Sequence, residues 1–199
     1  MDSSKGLRGA APGSLRIIGG IYRSRRLRVP SRPGLRPTPD RVRETLFNWL
    51  GQDLSGLACL DLFAGSGALG FEAASRGAAL VVMVERDRAA LAELERNRAT
   101  LGAERVEIVA GDAQGYLAGR EPSFDVVFLD PPFRQNAVPD VLAKLPPRLR
   151  PGARVYVEAG VPVEALAPWA ELRRARAGQV SYQLLRWECH DPGGISGNV

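Results

Sequence analysis

The chain has 199 residues, of which 45% are hydrophobic and 25% charged, with 27 Lys and Arg against 22 Asp and Glu. This is ordinary globular composition, long enough for one sizeable core and a small appendage, and no apolar run approaches the roughly 18 residues that a membrane span needs. One histidine, His190, and two cysteines, Cys59 and Cys189, at no metal or disulfide spacing, leave no basis for a metal site, a thiol nucleophile or a histidine base.

The net charge of +5 is unevenly spread. Residues 1–45 hold eleven Lys and Arg against three Asp and Glu (+8), while residues 46–199 hold sixteen against nineteen (−3). Residues 1–14 are small and polar without an apolar central stretch, which fits a flexible N-terminus rather than a secretory signal or anchor, so a soluble cytoplasmic protein is expected. Within residues 15–37, Arg16, Arg23, Arg25, Arg26 and Arg28 interleave with Ile17, Ile18, Ile21, Tyr22, Leu27 and Val29. The mixture predicts a basic β-hairpin with its turn near Ser24, suited to phosphate backbones. Residues 30–37, Pro-Ser-Arg-Pro-Gly-Leu-Arg-Pro, form a linker that resists helix and ladder alike.

Thr38 reads as an N-cap, with Pro39 at the first helical position and Asp40 in the first turn. Val42, Leu46, Trp49 and Leu50 then recur at helical spacing, so a helix is expected over 39–50 with Gly51 ending it. Beyond it, short apolar runs alternate with longer amphipathic ones. Strands are expected at 57–63, 80–85, 106–109, 124–129 and 154–158, and helices at 68–75, 88–101 and 138–145, which means a parallel sheet with covering helices. Residues 178–188, after a short candidate at 172–176, read as a hairpin-like strand closing the sheet edge. The main α/β domain is thus expected over 38–189, with a flexible tail at 190–199.

The first strand of that domain ends in Asp61-Leu-Phe-Ala-Gly-Ser-Gly-Ala-Leu-Gly70. Gly65, Gly67 and Gly70 have the spacing that lets a nucleotide approach the backbone and a helix pack on the strand, although nicotinamide and flavin enzymes share it. Glu85 ends the second strand twenty residues after Gly65, where it can accept from both ribose hydroxyls, and Asp112 after the third strand can accept from an adenine amine. The crevice offers no convincing base for hydride chemistry. Asp61, four residues before Gly65, instead suits a cationic sulfonium cofactor.

Phe124-Asp-Val-Val-Phe-Leu-Asp-Pro-Pro-Phe133 is the most specific feature of the chain. Two prolines remove two backbone donors and hold the loop extended, so it presents acceptors: the Asp130 carboxylate and the Pro131 carbonyl. A planar exocyclic amine is a donor whose lone pair is delocalised into its ring. Two acceptors can hold its hydrogens while the lone pair turns toward a methyl donor, and Asp130 stabilises the charge that develops on nitrogen. Phe133 is placed to stack on the flipped base.

On these residues the chain resembles the bacterial 16S ribosomal RNA guanine-N2 methyltransferases. The resemblance rests on Arg16-Ile-Ile-Gly-Gly20, Leu35-Arg-Pro-Thr38, Asp40-Arg-Val-Arg-Glu44, Phe47-Asn48, Asp61 through Gly70, Glu72-Ala73, Ser75-Arg-Gly77, Asp130-Pro-Pro-Phe133 and Gly178-Gln-Val180. It implies a class I methyltransferase (Rossmann-like) fold: a mostly parallel seven-stranded sheet with one antiparallel strand, the last, which is inserted, plus a small N-terminal β-hairpin. It implies S-adenosyl-L-methionine as cofactor, held by Thr38, Asn48, Asp61, Phe63, Gly65, Gly67, Glu85, Asp112 and Asp130, with 38–48 closing over its methionine end. Asp130, Pro131 and Phe133 would hold the guanine, and Arg16, Arg23, Arg25, Arg26 and Arg28 the RNA. The implied partner is 16S rRNA in an assembled or nearly assembled small subunit, met by a monomer without membrane contact. Where the family usually has glycine in the ribbon turn, this chain has Ser24.

Two other readings stand beside this one. An acceptor-rich Asp-Pro-Pro-Phe loop also serves DNA adenine or cytosine amino-methyltransferases, although the chain lacks a sizeable target-recognition domain. A ribosome assembly factor could use the same fold without catalysis, against which the intact Asp130 and glycine loop weigh.

Overall fold

The computed structural model describes residues 13–29, 38–119, 122–132 and 137–188. In chain order the elements are β1 (Gly13–Arg16), β2 (Arg26–Val29), α1 (Asp40–Leu50), β3 (Ala58–Asp61), α2 (Ala68–Ser75), β4 (Leu80–Glu85), α3 (Arg88–Leu101) and β5 (Val106–Ala110). There follow α4 (Ala113–Leu117), β6 (Phe124–Leu129), α5 (Val138–Lys144), a 3-10 turn (Pro146–Arg148), β7 (Leu149–Ala159), β8 (Trp169–Ala177) and β9 (Val180–Trp187). Among the described residues no helix is long and apolar enough to cross a membrane.

Seven strands form one sheet in the order β5-β4-β3-β6-β7-β9-β8. β3 to β7 are mutually parallel, and β9 runs antiparallel to both β7 and β8. The central strands are buried on both faces, which is why they read as continuous apolar runs. One face carries Cys59, Met83, Phe128 and Tyr156 under α1, α2 and α3. The other carries Leu60, Val84, Leu129 and Val157 under α4 and α5. Strand order reverses between β3 and β6, so the crevice at their carboxyl ends is the ligand position of such a sheet.

The class I architecture is as the sequence implies, with three differences in detail. The last described strand does not close the edge, as its apolar run alone suggests, but is inserted antiparallel as the resemblance implies: β9 lies between β7 and β8, its residues Ser181–Leu185 all buried, and β8 takes the edge. β7 is twice as long as the apolar pattern suggests, because Pro151 and Gly152 sit in its first part, where its register against β6 shifts. Thr38 does not cap α1. Pro39 occupies the cap position without a side-chain hydrogen bond, and the Thr38 hydroxyl bonds Glu158 instead.

The N-terminal ribbon pairs Ser14 with Arg28, Leu15 with Leu27 and Arg16 with Arg26. Leu15, Ile17, Leu27 and Val29 turn inward and are buried, so Ser14, Arg16, Arg26 and Arg28 share the exposed face. Ser24 occupies the turn with φ +67°, the left-handed conformation that favours glycine. Asn97 of α3 clasps the ribbon edge, accepting from the Arg28 amide at 2.9 Å and donating to its carbonyl at 2.8 Å.

The main fastening is the carboxylate of Glu72, fully buried on α2. It accepts from the amides of Ile18 (2.9 Å) and Gly19 (2.8 Å) and pairs with Arg43 of α1 (3.2 Å) and with Arg76 (2.8 Å). Arg43 is itself buried and donates to the carbonyls of Thr38 and Arg16 and to Asp40. At the end of α2 the ribbon comes so close that a Cβ on Gly20, where φ is +74°, would lie 1.8 Å from the Ser75 carbonyl oxygen. The Gly19-Gly20 pair is therefore a packing requirement of the ribbon against α2. Replacing Glu72 with alanine leaves Arg76 without its carboxylate and Arg43 with Asp40 alone, and is expected to cost about 3–5 kcal/mol in urea unfolding. A loss under about 1 kcal/mol would show that nearby carbonyls suffice for both.

Candidate active site

The glycine loop joins β3 to α2 and is braced from below. Asp61, buried at the end of β3, accepts from the Gly70 amide at 3.2 Å and from the Phe63 amide. Gly67 has φ +77°, and a Cβ there would meet the Phe71 and Leu94 side chains at 2.6–2.7 Å, so any other residue is strained and must displace them. From β4, the Glu85 carboxylate accepts from the Gly65 amide at 2.8 Å through one oxygen, and from the Arg86 and Asp87 amides through the other. A carboxylate offers about four lone-pair positions, so the oxygen facing Gly65 retains room for ribose hydroxyls. Asp112, exposed beyond β5, caps α4 by accepting from the Gly115 amide at 2.8 Å with Oδ1. Its Oδ2 remains for a ligand amine.

Asp130 leaves β6 at the neighbouring carboxyl end, followed by Pro131 and Pro132. The pairing of Leu129 with Val157 sets Asp130 beside Glu158 on the next rung. Alternation along each strand then sends four carboxyl groups to one face of the sheet, that of Cys59, Met83, Phe128 and Tyr156: Asp61, Glu85, Asp130 and Glu158. Among the described residues they do not converge as a metal-binding group. The loss of solvation on burial raises Asp61 to about 7, against the relief of its amide hydrogen bonds and with a further push from Glu85. Asp130 is raised well above the usual carboxylate range, first by desolvation, then by the charges of Glu158 and Asp61. Desolvation raises Glu158 too, opposed by hydrogen bonds from Tyr156 and Thr38. Such a set of carboxylates is matched by a cationic ligand.

The structure therefore gathers Thr38, Asp61, Phe63, Gly65, Gly67, Glu85, Asp130 and Pro131 around one crevice, with Asp112 on its β5 side. Phe133 lies outside the described residues. Asn48 is not brought there. It projects from the exposed face of α1 into a separate cavity of about 370 Å³ with Gly20, Arg23, Glu44, Gln52 and Arg76, at the C-terminal end of α2 and so about 12 Å, the length of that helix, from the glycine loop. Helical periodicity, which leaves Asn48 between buried Phe47 and half-buried Trp49, is the signal in the sequence that marks it as outward-facing.

The arginines likewise divide. Arg16 and Arg26 flank Asp40 at the start of α1, toward the crevice, and Arg28 shares their exposed face. Arg23 lies by Asn48 and Arg76, and Arg25 donates to the Thr100 carbonyl at the end of α3 (2.9 Å), both at the far end. Glu72, Glu158 and Arg43, which organise the whole arrangement, do not stand out from the sequence as functional residues. There they resemble surface charges, and only the burial of their helix and strand faces distinguishes them. Cys59 is buried with its thiol pushed up to about 12, chiefly by desolvation, so it is inert at neutral pH.

Residues 15–186 match the protein family described as conserved hypothetical protein 95. Ribosomal RNA small subunit methyltransferase D of Escherichia coli K12 is 46% identical over 182 residues, covering 88% of this chain and 91% of that protein. The Haemophilus influenzae protein of the same description is 43% identical over 182 residues, covering 87% and 94%. The solved structure of the Escherichia coli protein yhhF, described as a candidate methyltransferase, superposes with a TM-score of 0.82 at 46% identity, covering 89% of this chain and all of that one.

The folded protein binds the Asp61 proton more tightly than the unfolded chain does. The stability this contributes is complete below the ordinary value of 3.8 and is lost as the pH rises toward about 7. The urea midpoint of the ligand-free protein should therefore fall between about pH 4 and about pH 7, and Asp61→Asn should flatten that fall. Equal slopes in the two proteins would place the effect elsewhere.

Proposed function

The chain belongs to the family of ribosomal RNA small subunit methyltransferase D, and from that membership we propose that it methylates the exocyclic N2 amine of a guanine in 16S rRNA, using S-adenosyl-L-methionine. The observation that carries this reading is the pairing of a glycine-lined, carboxylate-rich crevice with an acceptor-only Asp130-Pro131-Pro132 corner on the adjacent strand. The carboxylates suit the sulfonium and ammonium charges of the cofactor, the oxygen of Glu85 suits its ribose, and Asp112 its adenine amine. Bound there, the cofactor supplies a methyl group made electrophilic by the sulfonium.

The chain's own residues do the rest. Asp130 and the Pro131 carbonyl accept the two amine hydrogens, which turns the nitrogen lone pair out of conjugation and toward the methyl donor. Asp130 offsets positive charge developing on nitrogen in surroundings where water is largely excluded. Phe133 supplies a stacking face for the base, worth roughly 1–3 kcal/mol in single-strand binders. Arg16, Arg26 and Arg28, on the exposed ribbon face, hold the phosphate backbone, with Arg23 and Arg25 contacting it at the remote end. The natural partner is an assembled or nearly assembled small subunit, and the enzyme acts as a cytoplasmic monomer. A β-ribbon of about seventeen residues offers too little surface for reading a DNA target in the major groove, which leaves the DNA reading behind.

Asp130→Ala is expected to abolish transfer of a tritiated methyl group to small subunits from cells lacking the activity, while cofactor affinity by calorimetry stays within a few fold. Wild-type turnover by that variant would remove the acceptor argument. Replacing Arg16 and Arg26 with glutamine should weaken RNA binding and reduce the slope of log K against log salt by about 0.7 per lost phosphate contact. Replacing Arg23 and Arg25 should change it less.

A further inference from the structure

Glu158 is a nearly buried carboxylate that the mechanism above does not use. It is held from two sides. The Tyr156 hydroxyl donates to Oε1 at 2.7 Å, and the Thr38 hydroxyl, brought in at the start of α1, donates as well. The β6–β7 register leaves it beside Asp130, one strand spacing of about 4.8 Å away. Asp130 has no such hydroxyl donors, and among the described residues neither group has a cationic partner.

The other ionisable groups facing the pair come from every neighbouring element. Asp61 approaches from β3, with Glu85 of β4 behind it. Tyr156 belongs to β7, and the ring of Tyr182 on β9 lies 6.3 Å from it. From α1, Arg43 gives Nε to the Thr38 carbonyl and its remaining donors to Glu72, Asp40 and the Arg16 carbonyl. Among the described residues, every charge turned toward Asp130 is thus negative.

On the methyltransferase reading above, we infer that Glu158 is a positioning residue whose anchored negative charge makes Asp130 a base able to take the proton that the target amine loses. Two adjacent buried carboxyl groups cannot both ionise cheaply, so they hold one proton between them over a wide pH range. Tyr156 and Thr38 favour the ionised form of Glu158, and the shared proton therefore belongs on Asp130. Opposite a positively charged ligand the pair gives up that proton, and an Asp130 ionised in this setting regains one readily once that charge is spent. When nitrogen gains its methyl group, one N–H bond breaks with its electron pair left on nitrogen, and an O–H bond forms on Asp130. The proton leaves to water when the next positively charged ligand enters, which restores the carboxylate for the next amine. Without Glu158, Asp130 still accepts hydrogen bonds but is a weaker base.

The test uses the full-length ligand-free protein, carbon-13 labelled at the side-chain carboxyls, titrated by NMR as wild type, Glu158→Gln and Tyr156→Phe. In the wild type, Asp130 should titrate in two coupled steps. In Glu158→Gln it should titrate in one step, at least about one pH unit lower, since the amide keeps the shape of the side chain and the Tyr156 contact without the charge. Tyr156→Phe, which takes away a donor to the Glu158 anion, should move Asp130 the same way by less, and it decides the matter if Glu158→Gln does not fold. In single-turnover methylation the acid limb of the pH profile should shift down with the NMR midpoint, the plateau should fall several fold, and Glu158→Asp should restore most of both. An Asp130 titration unmoved by the variants, or a rate lowered equally at every pH, overturns the inference. Absence of methyl transfer by the wild type would overturn the underlying function instead, and the ligand-free titration would still judge the pair.

Discussion

One buried carboxylate, that of Glu72, holds the working parts of this protein in register. It joins two backbone amides of the ribbon, a guanidinium from α1 and a guanidinium from the end of its own helix. Each partner belongs to a segment that the sheet alone would not fix. The ribbon is two four-residue strands, too small to be stable by itself, and α1 precedes the first strand of the main sheet. A buried charge with so many partners is costly to break and fixes geometry more than it adds stability. Its effect is that Thr38 meets Glu158 and that the arginine face of the ribbon looks outward.

The crevice follows an opposite logic. Four carboxyl groups crowd one face at the carboxyl ends of adjacent strands with no cation among them in the described residues, and desolvation makes the ionisation of three of them, Asp61, Asp130 and Glu158, unfavourable. Such an arrangement sacrifices folding stability for complementarity to a positively charged ligand, a common exchange at functional sites. The hydrogen bonds that soften the cost, from Gly70 and Phe63 to Asp61 and from three amides to Glu85, are the ones that shape the glycine loop. Loop geometry and site electrostatics are therefore one structure.

Features whose meaning is local are legible in the sequence. The helices at 68–75 and 88–101, the strands at 80–85 and 124–129, the glycine loop and the Asp-Pro-Pro corner all follow from periodicity, spacing and missing donors. What sequence reasoning misses depends on contacts between distant segments. Thr38 has the chemistry of a cap, but its hydroxyl is claimed by a carboxylate 120 residues away. Asn48 lies within the matching motif, but on the exposed face of α1 and beside a different cavity. Arg43, Glu72 and Glu158 look like solvated charges until three elements close over them. α4, five residues long and capped by Asp112, is too short for periodicity to reveal.

The insertion of β9 between β7 and β8 makes the last of the described strands an inner strand of the sheet. β8 leaves the synthesising ribosome with no neighbour to hydrogen-bond until the residues through Trp187 have followed it. Completion of the layer thus waits for β9, and Trp49 of α1 waits for Tyr182, on which it stacks at 5.4 Å, to finish one wall. A chain cut short within β9 would expose the flank of β7 as an open, adhesive border, so for this topology β9 is a keystone rather than a margin.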